Sequence, residues 1–469
     1  SALQEATITG ESVPVDKGEG ESVFAGTLNL TGTLEVEVTT RAEETVIARI
    51  IRRVEEAEQE QSVMQRRIDT IEQYYAVSVI VLTALLAVIP GLAGAGWAAS
   101  IYRAITFMVV ASPCAVAMSV PAAIVAALAN GARSGVLYKG GMHIENMAEV
   151  KVLAFDKTGT LTEGRPVLTD VIPAGGHSRE AVLSLAAGVE RQSGHPLGQA
   201  IVAAAEAEGS IGESAEHVQE LPGKGISGGV GGREVWAGNR RMLQERVPQQ
   251  AEGWLARARE LEESGKTVVF VGSGDEVVGI LGLMDRLRPD AAATVARLKA
   301  QGIERVVMLT GDNRRVGEAV AELAGVDEVY TELLPEDKAE IVQRLRREYG
   351  PVAMVGDGVN DAPALAQATV GIAMGAAGTD VALETADVVL MRNDLAKLNH
   401  AVTLSRRTRR IVWQNLIFSL AVIGVLAFVV LTRGLVLAAG VVGHEGSTVL
   451  VILNSMRLLA NRPGQGAPA

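Results

Sequence analysis

Four long stretches of the chain carry almost no charge. Residues 73–102, 104–132 and 411–432 contain no Asp, Glu, Lys or Arg. A fourth stretch, residues 434–456, contains Glu445 as its one charged residue. An α-helix needs about 20 mostly apolar residues to cross the hydrocarbon core of a bilayer. Buried helices of soluble domains seldom run this long without charge, so the pattern predicts four transmembrane helices.

Basic residues flank these stretches on one side of the predicted membrane. Loops rich in Lys and Arg stay in the cytosol, so both termini and the long middle segment are predicted to be cytosolic. The two short connections hold only Arg103 and Arg433. The flanking basic residues are Arg66, Arg67, Arg133, Lys139, Arg406, Arg407, Arg409, Arg410, Arg457 and Arg462.

The segments outside the apolar stretches have the patterns of soluble domains. The middle segment, about Arg133 to Arg410, is large enough for two domains. Upstream, Gly26–Val38 alternates apolar and polar residues, which predicts a half-buried β-hairpin. A charged helix from about Thr45 to Tyr74 is predicted to lead into the membrane. Because the chain starts at Ser1, close to its first motif, we expect it to be a fragment cut within a domain.

Composition narrows the class of protein. The 469 residues are 48% hydrophobic and 21% charged, which excludes a disordered or collagen-like chain. The net charge of −12 argues against a broad basic face for nucleic acid. Cys114 is the one cysteine of the sequence, so no disulfide forms within the chain. This residue is either inert packing or part of the chemistry.

Three short apolar segments of the middle region each end next to an aspartate. Continuous apolar runs of this length are typical of buried parallel strands. Ligands of an open α/β sheet bind beyond the carboxyl ends of its strands, so three carboxylates are predicted to converge there. One could act as a nucleophile while another holds Mg²⁺, and three Asp helix caps are the alternative. The segments are Lys151–Phe155 before Asp156, Val306–Leu309 before Thr310-Gly311-Asp312, and Val352–Val355 before Gly356-Asp357.

The residues around these aspartates resemble the motifs of P-type ATPases. Asp156-Lys157-Thr158-Gly159-Thr160-Leu161-Thr162 is similar to the phosphorylation signature of that family. Thr310-Gly311-Asp312 and Gly356–Asp361 are similar to its hinge and Mg²⁺ motifs, and Thr9–Ser12 to its actuator loop. The resemblance covers essentially the whole chain. It implies a multidomain membrane protein, with an α-helical transmembrane bundle, an α/β haloacid-dehalogenase-like phosphorylation domain, an α+β nucleotide-binding domain and a partial β-rich actuator domain.

The resemblance also implies an order of domains along the chain. We expect a partial actuator domain at 1–60, a linker helix and first transmembrane pair at 61–137, and a nucleotide-binding domain at 169–262. The phosphorylation domain is expected in two parts, 138–168 and 263–405. The second transmembrane pair is expected at 406–460, with a tail at 461–469.

The implied chemistry is transfer of the γ-phosphate of ATP to Asp156. The transition state spreads negative charge over the phosphoryl oxygens, so positioning and cations supply most of the catalysis. Lys338 would offset the phosphate charge, and Glu11 would later orient a water for hydrolysis. The resemblance assigns catalytic roles to Asp156, Lys157, Thr158, Glu11, Thr310, Asp312, Lys338 and Asn360, and a Mg²⁺ site to Asp156, Thr158, Asp357 and Asp361.

A second group of residues resembles the nucleotide domain of heavy-metal P-type ATPases. Glu190 and His195 would lie near the adenine, and the glycines would allow close backbone approach. The family usually has Glu where this chain has Gly194. Residues 223–228 also match a dinucleotide-binding pattern, but a strand is predicted to follow them where a Rossmann site needs a helix. The implied nucleotide residues are Glu190, His195, Gly223, Gly225, Gly238 and Asn239.

The apolar stretches contain their own candidate site. Pro113 opens the helix beside Cys114, and broken helices at mid-membrane commonly form ion sites. A small buried Cys beside a kink is the alternative. In the fourth stretch His444 and Thr448 share a helix face, with Glu445 adjacent, and ionisable groups in a span are usually functional. Thiolate, imidazole and carboxylate together suit a borderline divalent cation.

Ser-Pro-Cys with His-Glu-Gly-x-Thr resembles the cobalt/zinc subgroup of heavy-metal P-type ATPases. The resemblance implies Cys114, His444 and Glu445 as ligands of the transported ion, with Ser112 and Thr448 secondary. It implies ATP-driven export of Co²⁺ or Zn²⁺ from the cytosol across the cell membrane, with Mg²⁺ as cofactor. Ni²⁺, Fe²⁺ and Cd²⁺ fit such ligands too. Membrane lipid is an implied partner, and no obligate protein partner is readable from the sequence.

Three alternatives remain open at this point. The first is a copper or zinc/cadmium/lead pump of the same family, although such pumps have Cys-Pro-Cys. The second is a membrane-anchored phosphatase of the same fold, against which the actuator and nucleotide motifs argue. The third is a metal-sensing or scaffold membrane protein, which would need neither Asp156 nor Glu11. Fold resemblance alone does not decide among them.

Overall fold

The computed structural model describes most of the chain beyond residue 62. The described residues are 2–4, 15, 16, 18, 20, 23, 27–29, 34–39, 63–193, 196–221, 224–356, 361–375, 386–392 and 394–460. The chain forms two compact units. The first comprises Ser1–Lys151, Tyr349–Ala353 and Leu365–Ala469, and the second comprises Val152–Glu348 and Met354–Ala364.

The described strands and helices are each numbered in chain order, with the strands given first. The strands are β1 (Ala2–Gln4), β2 (Val15–Asp16), β3 (Leu28–Asn29), β4 (Val136–Tyr138), β5 (Val152–Asp156), β6 (Thr162–Pro173), β7 (Glu216–Leu221), β8 (Gly225–Val230), β9 (Arg233–Gly238), β10 (Thr267–Ser273), β11 (Glu276–Leu287), β12 (Arg305–Leu309), β13 (Glu328–Tyr330), β14 (Val352–Gly356), β15 (Val370–Met374) and β16 (Val388–Leu390). The helices are α1 (Val63–Leu92), α2 (Trp97–Val110), α3 (Cys114–Arg133), α4 (Gly141–Glu149), α5 (Arg179–Glu190), α6 (Pro196–Ala207), α7 (Arg240–Arg246), α8 (Ala251–Glu263), α9 (Ala291–Ala300), α10 (Arg314–Ala324), α11 (Pro335–Tyr349), α12 (Ala362–Gln367), α13 (Ala396–Thr432) and α14 (Leu437–Met456).

In the part of the first unit that the structure describes, four helical spans are long and apolar enough to cross a membrane. They cover Met64–Leu92, Trp97–Arg133, Ala396–Thr432 and Leu437–Met456. The second of them combines α2 and α3, which are separated at residues 111–113. Phe107, Val110 and Ala111 of this broken span pack against Val430 of α13. The number of spans predicted from the apolar stretches is therefore confirmed by helix length and composition.

The predicted connection between the first two spans was wrong. Arg103 lies inside α2, not in a loop, and the chain turns earlier, between Leu92 and Trp97. Gly94 and Gly96 make this turn with φ of +90° and +86°, values that glycine adopts without steric cost. The turn lies within an uncharged run, so a count of charges could not locate it.

Only a small part of the upstream β-rich segment is described. Leu28–Asn29 pairs with β1 in a three-stranded sheet of order β2-β1-β3. Residues 34–39 have no regular secondary structure, and Val36 and Val38 are 53% and 83% exposed. The predicted hairpin is therefore not formed in the described residues, because an alternating pattern forms a strand only where its apolar face is covered. Glu11 and residues 45–62 of the predicted charged helix lie outside the described residues.

A six-stranded antiparallel sheet forms one layer of the second unit, in the order β6-β11-β10-β9-β8-β7. Helices α5 and α6 contribute to a hydrophobic cluster with this sheet, and α7 and α8 to another. Strand β10 pairs with β9, and β11 with β6. The predicted domain boundary at 262/263 therefore falls before the two strands that complete the sheet. A boundary placed by motif spacing alone could not anticipate that the chain returns to pair with β6 and β9.

The strands that precede the three aspartates belong to a seven-stranded sheet of order β13-β12-β5-β14-β15-β16-β4. Strand β12 is parallel to both β5 and β13, and Leu309 lies opposite Asp156. Strand β4 runs antiparallel to β16 at the edge of the sheet. The prediction of three buried strands, each ending near an aspartate, is confirmed. Asp156 therefore lies level with the residues that lead from β12 into Thr310-Gly311-Asp312.

We expect Gly272→Ala to destabilise the six-stranded sheet. Gly272 lies opposite Trp236, and a Cβ there would overlap the indole ring. That ring is fully buried and donates its N–H to the Gly274 carbonyl at 3.0 Å, so it cannot move away. Overpacking of this kind lowers the free energy of unfolding by about 1–3 kcal/mol.

Thermal unfolding of the purified full-length protein measures this effect. Gly253→Ala is the control, because a Cβ at Gly253 meets no atom within 4 Å. Alanine in place of helical glycine raises stability by up to about 1 kcal/mol. Equal melting temperatures for the two variants would contradict the packing described.

Candidate functional site

The carboxylate of Asp156 lies at the centre of a buried ionic cluster in the second unit. Asp156 is the last residue of β5 and is 6% exposed. Lys338, from α11, places its Nζ 2.6 Å from Asp156 Oδ1 and 2.7 Å from Asp361 Oδ1. Burial opposes the charge of this ammonium group, but the two carboxylates outweigh burial and raise the pKa of Lys338. A fixed positive charge therefore stands beside the predicted nucleophile.

The loop after β12 supplies the second part of the cluster. Lys157, which directly follows Asp156, pairs with Asp312 at 2.5 Å. The hydroxyl of Thr310 accepts a hydrogen bond from the Asp312 backbone N–H at 3.1 Å, which shapes the loop. Asp312 in turn accepts a backbone hydrogen bond from Glu332 at 2.8 Å. Lys157, Thr310, Asp312 and Lys338, which the sequence separates widely, are thus assembled around Asp156.

Not all predicted catalytic residues can be placed. Thr158 is exposed on the turn Lys157–Leu161, where Gly159 adopts φ of +75°. Asp361 is 1% exposed, at the start of α12. Glu11, Asp357 and Asn360 lie outside the described residues.

Two residues that the sequence analysis missed support the turn Lys157–Leu161 after Asp156. Arg288 donates to the carbonyls of Thr160 and Gly159 at 2.8 and 2.9 Å, and its backbone N–H donates to Leu161. The hydroxyl of Thr162 donates to Asp285 Oδ2 at 2.6 Å. Asp285 lies near the end of the long strand β11 and Arg288 directly follows it, so an acid and a base after the apolar run of that strand were the signal available. Together they hold both ends of the turn that follows Asp156.

Glu190 is a buried carboxyl group at the end of α5. It is 8% exposed, and a Cβ on Gly198 of α6 would overlap its carboxyl group. Burial raises the pKa of Glu190 to about 7, the charge of Glu220 adds to the rise, and a hydrogen bond with Ser193 opposes it. The group is therefore poised between its neutral and charged forms near neutral pH. His195 and Gly223 lie outside the described residues.

The other predicted nucleotide residues are placed side by side. Gly225 and Gly238 face each other across β8 and β9, and a Cβ on Gly225 would overlap the backbone of the opposite strand. Asn239 caps α7, since its side-chain oxygen accepts from the backbone N–H groups of Arg241 and Met242. The backbone carbonyl of Lys224 accepts a hydrogen bond from the Asn239 backbone N–H at 2.8 Å. The glycines thus permit close contact between two strands, whether or not a nucleotide approaches them as well.

The break between α2 and α3 places Ser112 beside Cys114. Pro113 caps α3, and Ser112 Oγ lies 3.0 Å from Cys114 Sγ. The hydroxyl of Tyr75, from α1, donates to the Ala111 carbonyl at 2.7 Å, so a neighbouring helix holds the start of the break. Cys114 is exposed, as a residue lining an open break would be. The predicted opening of the helix by proline is confirmed.

His444 and Thr448 share a buried face of α14. His444 is 2% exposed, and neither of its ring nitrogens has a hydrogen-bond partner in the described part of the structure. The hydroxyl oxygen of Thr448 also has none there. Buried polar groups without partners are rare because each costs free energy. These three atoms are therefore candidates for contact with a bound ion.

The broken span and α14 run in the same direction. Gly440 packs against Val110, and further along Asn130 donates to the Leu458 carbonyl at 2.5 Å. His444 lies one helical turn beyond Gly440 on α14, and Cys114 begins α3 after the break that follows Val110. Glu445 is exposed. Within the described residues, no three His, Cys, Asp or Glu side chains cluster closely enough to hold a metal ion.

Two family models match the chain. Residues 150–369 match the haloacid dehalogenase-like hydrolases, and residues 1–55 match the P-type ATPase actuator domain. These matches cover the region of the Asp156 cluster and the segment that contains Glu11.

Curated relatives match nearly the whole chain. A zinc-transporting ATPase of Bacillus subtilis is 44% identical over 98% of this chain and 72% of its own length. A probable cadmium-transporting ATPase of Listeria monocytogenes is 42% identical, with 98% and 66% covered. A probable cobalt/nickel-exporting P-type ATPase of Mycolicibacterium smegmatis is 44% identical, with 98% and 70% covered. The chain thus spans about two thirds to three quarters of the length of these relatives.

A solved structure is similar as well. The crystal structure of a zinc-transporting PIB-type ATPase in the E2.Pi state superposes with a TM-score of 0.69 at 40% identity. The match covers 98% of this chain and 74% of the chain in that crystal structure.

We expect the stability of the protein to depend on the titration of Glu190. A buried carboxyl with a pKa of about 7 binds a proton on folding, so the free energy of unfolding falls as pH rises from about 5 to about 7. The decrease should amount to roughly 2–3 kcal/mol, since one pKa unit corresponds to about 1.4 kcal/mol. Glu190→Gln should remove this slope and make the protein more stable than wild type at pH 8.

Unfolding curves across this pH range provide the measurement. Glu206→Gln, on the exposed side of α6, is the matched control and should keep the wild-type slope. A Glu190→Gln variant with an unchanged slope would show that Glu190 is not the titrating group.

Proposed function

Because the chain belongs to the heavy-metal-transporting P-type ATPases, we propose that it couples ATP hydrolysis at Asp156 to transport of a divalent transition-metal ion. The observation that carries the proposal is the buried Asp156–Lys338–Asp361 cluster with the Lys157–Asp312 pair beside it. Such a cluster positions a carboxylate nucleophile among fixed cations, which is what phosphoryl transfer requires.

In the proposed first step, a carboxylate oxygen of Asp156 attacks the γ-phosphorus of ATP. A bond from this oxygen to phosphorus forms, the bond from phosphorus to the β-phosphate oxygen breaks, and ADP leaves with the electron pair. Lys338 offsets the negative charge of the transferred group. Asp312 holds Lys157 next to the nucleophile, and Thr310 holds the loop that carries Asp312. The phosphorylated Asp156 is later hydrolysed, with Glu11 proposed to orient the water.

The residues of this cluster also fit the Mg²⁺ ion that the family uses. Asp156 and Asp361 are carboxylates, the oxygen donors that Mg²⁺ prefers, and both reach a single ammonium group. We assign the ion to these two residues, the Thr158 carbonyl and Asp357. When bound, Mg²⁺ supplies positive charge that neutralises the phosphate oxygens.

Nucleotide binding is assigned to the six-stranded sheet and the helices next to it. Glu190 and His195 are proposed near the adenine, with Gly223, Gly225, Gly238 and Asn239 forming the adjacent backbone. Charge coupling between Glu190 and Glu220 of β7 supports this placement, because Glu220 lies opposite Ile226, next to Gly225.

The transported ion is assigned to the level of the helix break in the first unit. The unpartnered ring nitrogens of His444 and the Thr448 hydroxyl support this assignment, together with the Cys114 and Ser112 pair at the break. Glu445 completes the proposed ligand set. Sulfur, imidazole and oxygen donors together favour a borderline divalent cation over Cu⁺, which prefers sulfur donors.

We propose Co²⁺ or Zn²⁺ as the transported ion, with Ni²⁺, Fe²⁺ and Cd²⁺ as further candidates. Relatives named for zinc, cadmium and cobalt/nickel support a divalent ion. The single sulfur ligand favours the cobalt/zinc subgroup over the copper and zinc/cadmium/lead pumps. We place the protein in the cell membrane, with the ATP-handling segments in the cytosol and export as the direction of transport. The phosphatase alternative is disfavoured by the match to the actuator domain.

We expect Asp156→Asn to abolish the phosphorylated intermediate. An amide is not a nucleophile for phosphorus, so no acid-stable label should appear after incubation of the full-length protein with γ-labelled ATP. Asp170→Asn is a control, because Asp170 lies on β6 in an ion pair with Lys266 away from the cluster. Undiminished labelling of Asp156→Asn would overturn the assignment of the nucleophile.

We expect Zn²⁺ or Co²⁺ to stimulate the ATPase activity of the full-length protein, and Cu⁺ to leave it unchanged. Cys114→Ser and His444→Ala should each lower the stimulated rate by about tenfold or more, since each removes a proposed ligand. The rate at a series of metal concentrations is the measurement. Stimulation by Cu⁺ without a response to divalent ions would contradict the proposed ligand chemistry.

A further inference from the structure

The carboxylate of Glu262, at the end of α8, is buried among three donors. It is 4% exposed at its side chain and pairs with Arg240 at 2.6 Å and with Arg315 at 3.1 Å. The amide of Asn313 donates to the same Oε1 that Arg240 binds, at 3.1 Å. Hydrogen bonds between charged groups are about twice as strong as neutral ones. None of these four residues has a part in the phosphoryl transfer described above.

The donors lie at the starts of two helices, which follow strands of two different sheets. Arg240 directly follows Gly238-Asn239 at the end of β9. Glu262 lies on α8, a helix that forms a hydrophobic cluster with the six-stranded sheet. Asn313 and Arg315 directly follow Thr310-Gly311-Asp312 at the end of β12. The Glu262 cluster therefore connects the proposed nucleotide-binding backbone to the loop that contacts Lys157.

Asn313 joins the Glu262 cluster to the loop that carries Asp312. Its side-chain oxygen caps α10 by accepting from the backbone N–H groups of Arg315 and Val316, while its side-chain nitrogen donates to Glu262. A carboxylate is disfavoured at the C-terminal end of its own helix, where Glu262 lies, but favoured at the N-terminus of α10. The charge of Glu262 thus favours the start of α10, which begins at Arg314 directly after Asn313.

We propose that Glu262 is a positioning residue that couples nucleotide binding to the geometry of the Asp312 loop. When ATP contacts the backbone at Gly238-Asn239, the Arg240–Glu262–Asn313 chain of contacts keeps Asp312 and Lys157 in place for attack by Asp156. The inference rests on the proposed ATP-dependent phosphorylation of Asp156. Its scope is the forward reaction, because phosphorylation by inorganic phosphate needs the Asp312 loop but no nucleotide.

The chain offers a matched control for each of the three charged members of the cluster. Glu263, Arg241 and Arg314 are exposed neighbours of the same residue type as Glu262, Arg240 and Arg315. Each pair of variants therefore makes the same chemical change inside and outside the cluster.

The experiment compares Glu262→Gln with Glu263→Gln in the full-length protein. Labelling by γ-labelled ATP, labelling by inorganic phosphate without nucleotide, and the melting temperature are measured for each. We expect Glu262→Gln to lower the rate of ATP-driven labelling by about tenfold or more, as loss of a charged hydrogen bond predicts. Labelling by inorganic phosphate should stay within about twofold of wild type, and Glu263→Gln should match wild type throughout.

Two results would overturn the inference. In the first, Glu262→Gln and Glu263→Gln give equal rates of ATP-driven labelling. In the second, labelling by inorganic phosphate falls as much as labelling by ATP, which would leave Glu262 with a structural role alone. If Glu262→Gln does not fold, Arg240→Gln and Arg241→Gln provide the same comparison from the nucleotide side. Absence of any label in the wild-type protein would instead contradict the proposed function.

Discussion

The ammonium group of Lys338 is the interaction on which the catalytic region depends. Two carboxylates, Asp156 and Asp361, are buried within hydrogen-bond distance of it. Without a cation between them, two like charges in a buried site would repel and one would take up a proton. Lys338 therefore offsets the repulsion between the proposed nucleophile Asp156 and Asp361. The Lys157–Asp312 pair adds a second ion pair at the next strand, so each of the three carboxylates contacts an ammonium group.

Other side chains of the second unit hold the backbone around this ionic cluster in place. Arg288 binds the carbonyls of the turn after Asp156, and Thr310 shapes the loop that carries Asp312. The Glu262 cluster then connects that loop to the strand ends of the six-stranded sheet. Each support is a side chain bound to backbone or to another charge, which suits a site that must hold its geometry while its own net charge changes.

The membrane-length helices show the opposite arrangement, with polar groups left unsatisfied. His444 is buried and Thr448 half-buried, and the polar atoms of both side chains have no hydrogen-bond partner in the described residues. Elsewhere in these helices, Asn415, Asn454 and Ser455 bond to one another. The helix pair can therefore satisfy polar groups where they serve structure. The unpartnered polar atoms of His444 and Thr448 are the observation that supports the proposed ion site.

The sequence by itself determined the apolar spans, the strands that lead to Asp156, Thr310 and Gly356, and the proline break beside Cys114. Each of these depends on local pattern, that is, on hydrophobic length, on continuous apolar runs or on the missing N–H of proline. Only the tertiary structure decided that Lys338 bridges Asp156 and Asp361, that Arg288 holds the turn Lys157–Leu161, and that Glu262 binds Arg240 and Arg315. It also moved the first turn between spans away from Arg103 and joined β10 and β11 to the six-stranded sheet. Pairings between residues far apart in the chain leave no periodic signal, because they depend on how strands and helices are arranged after each has formed.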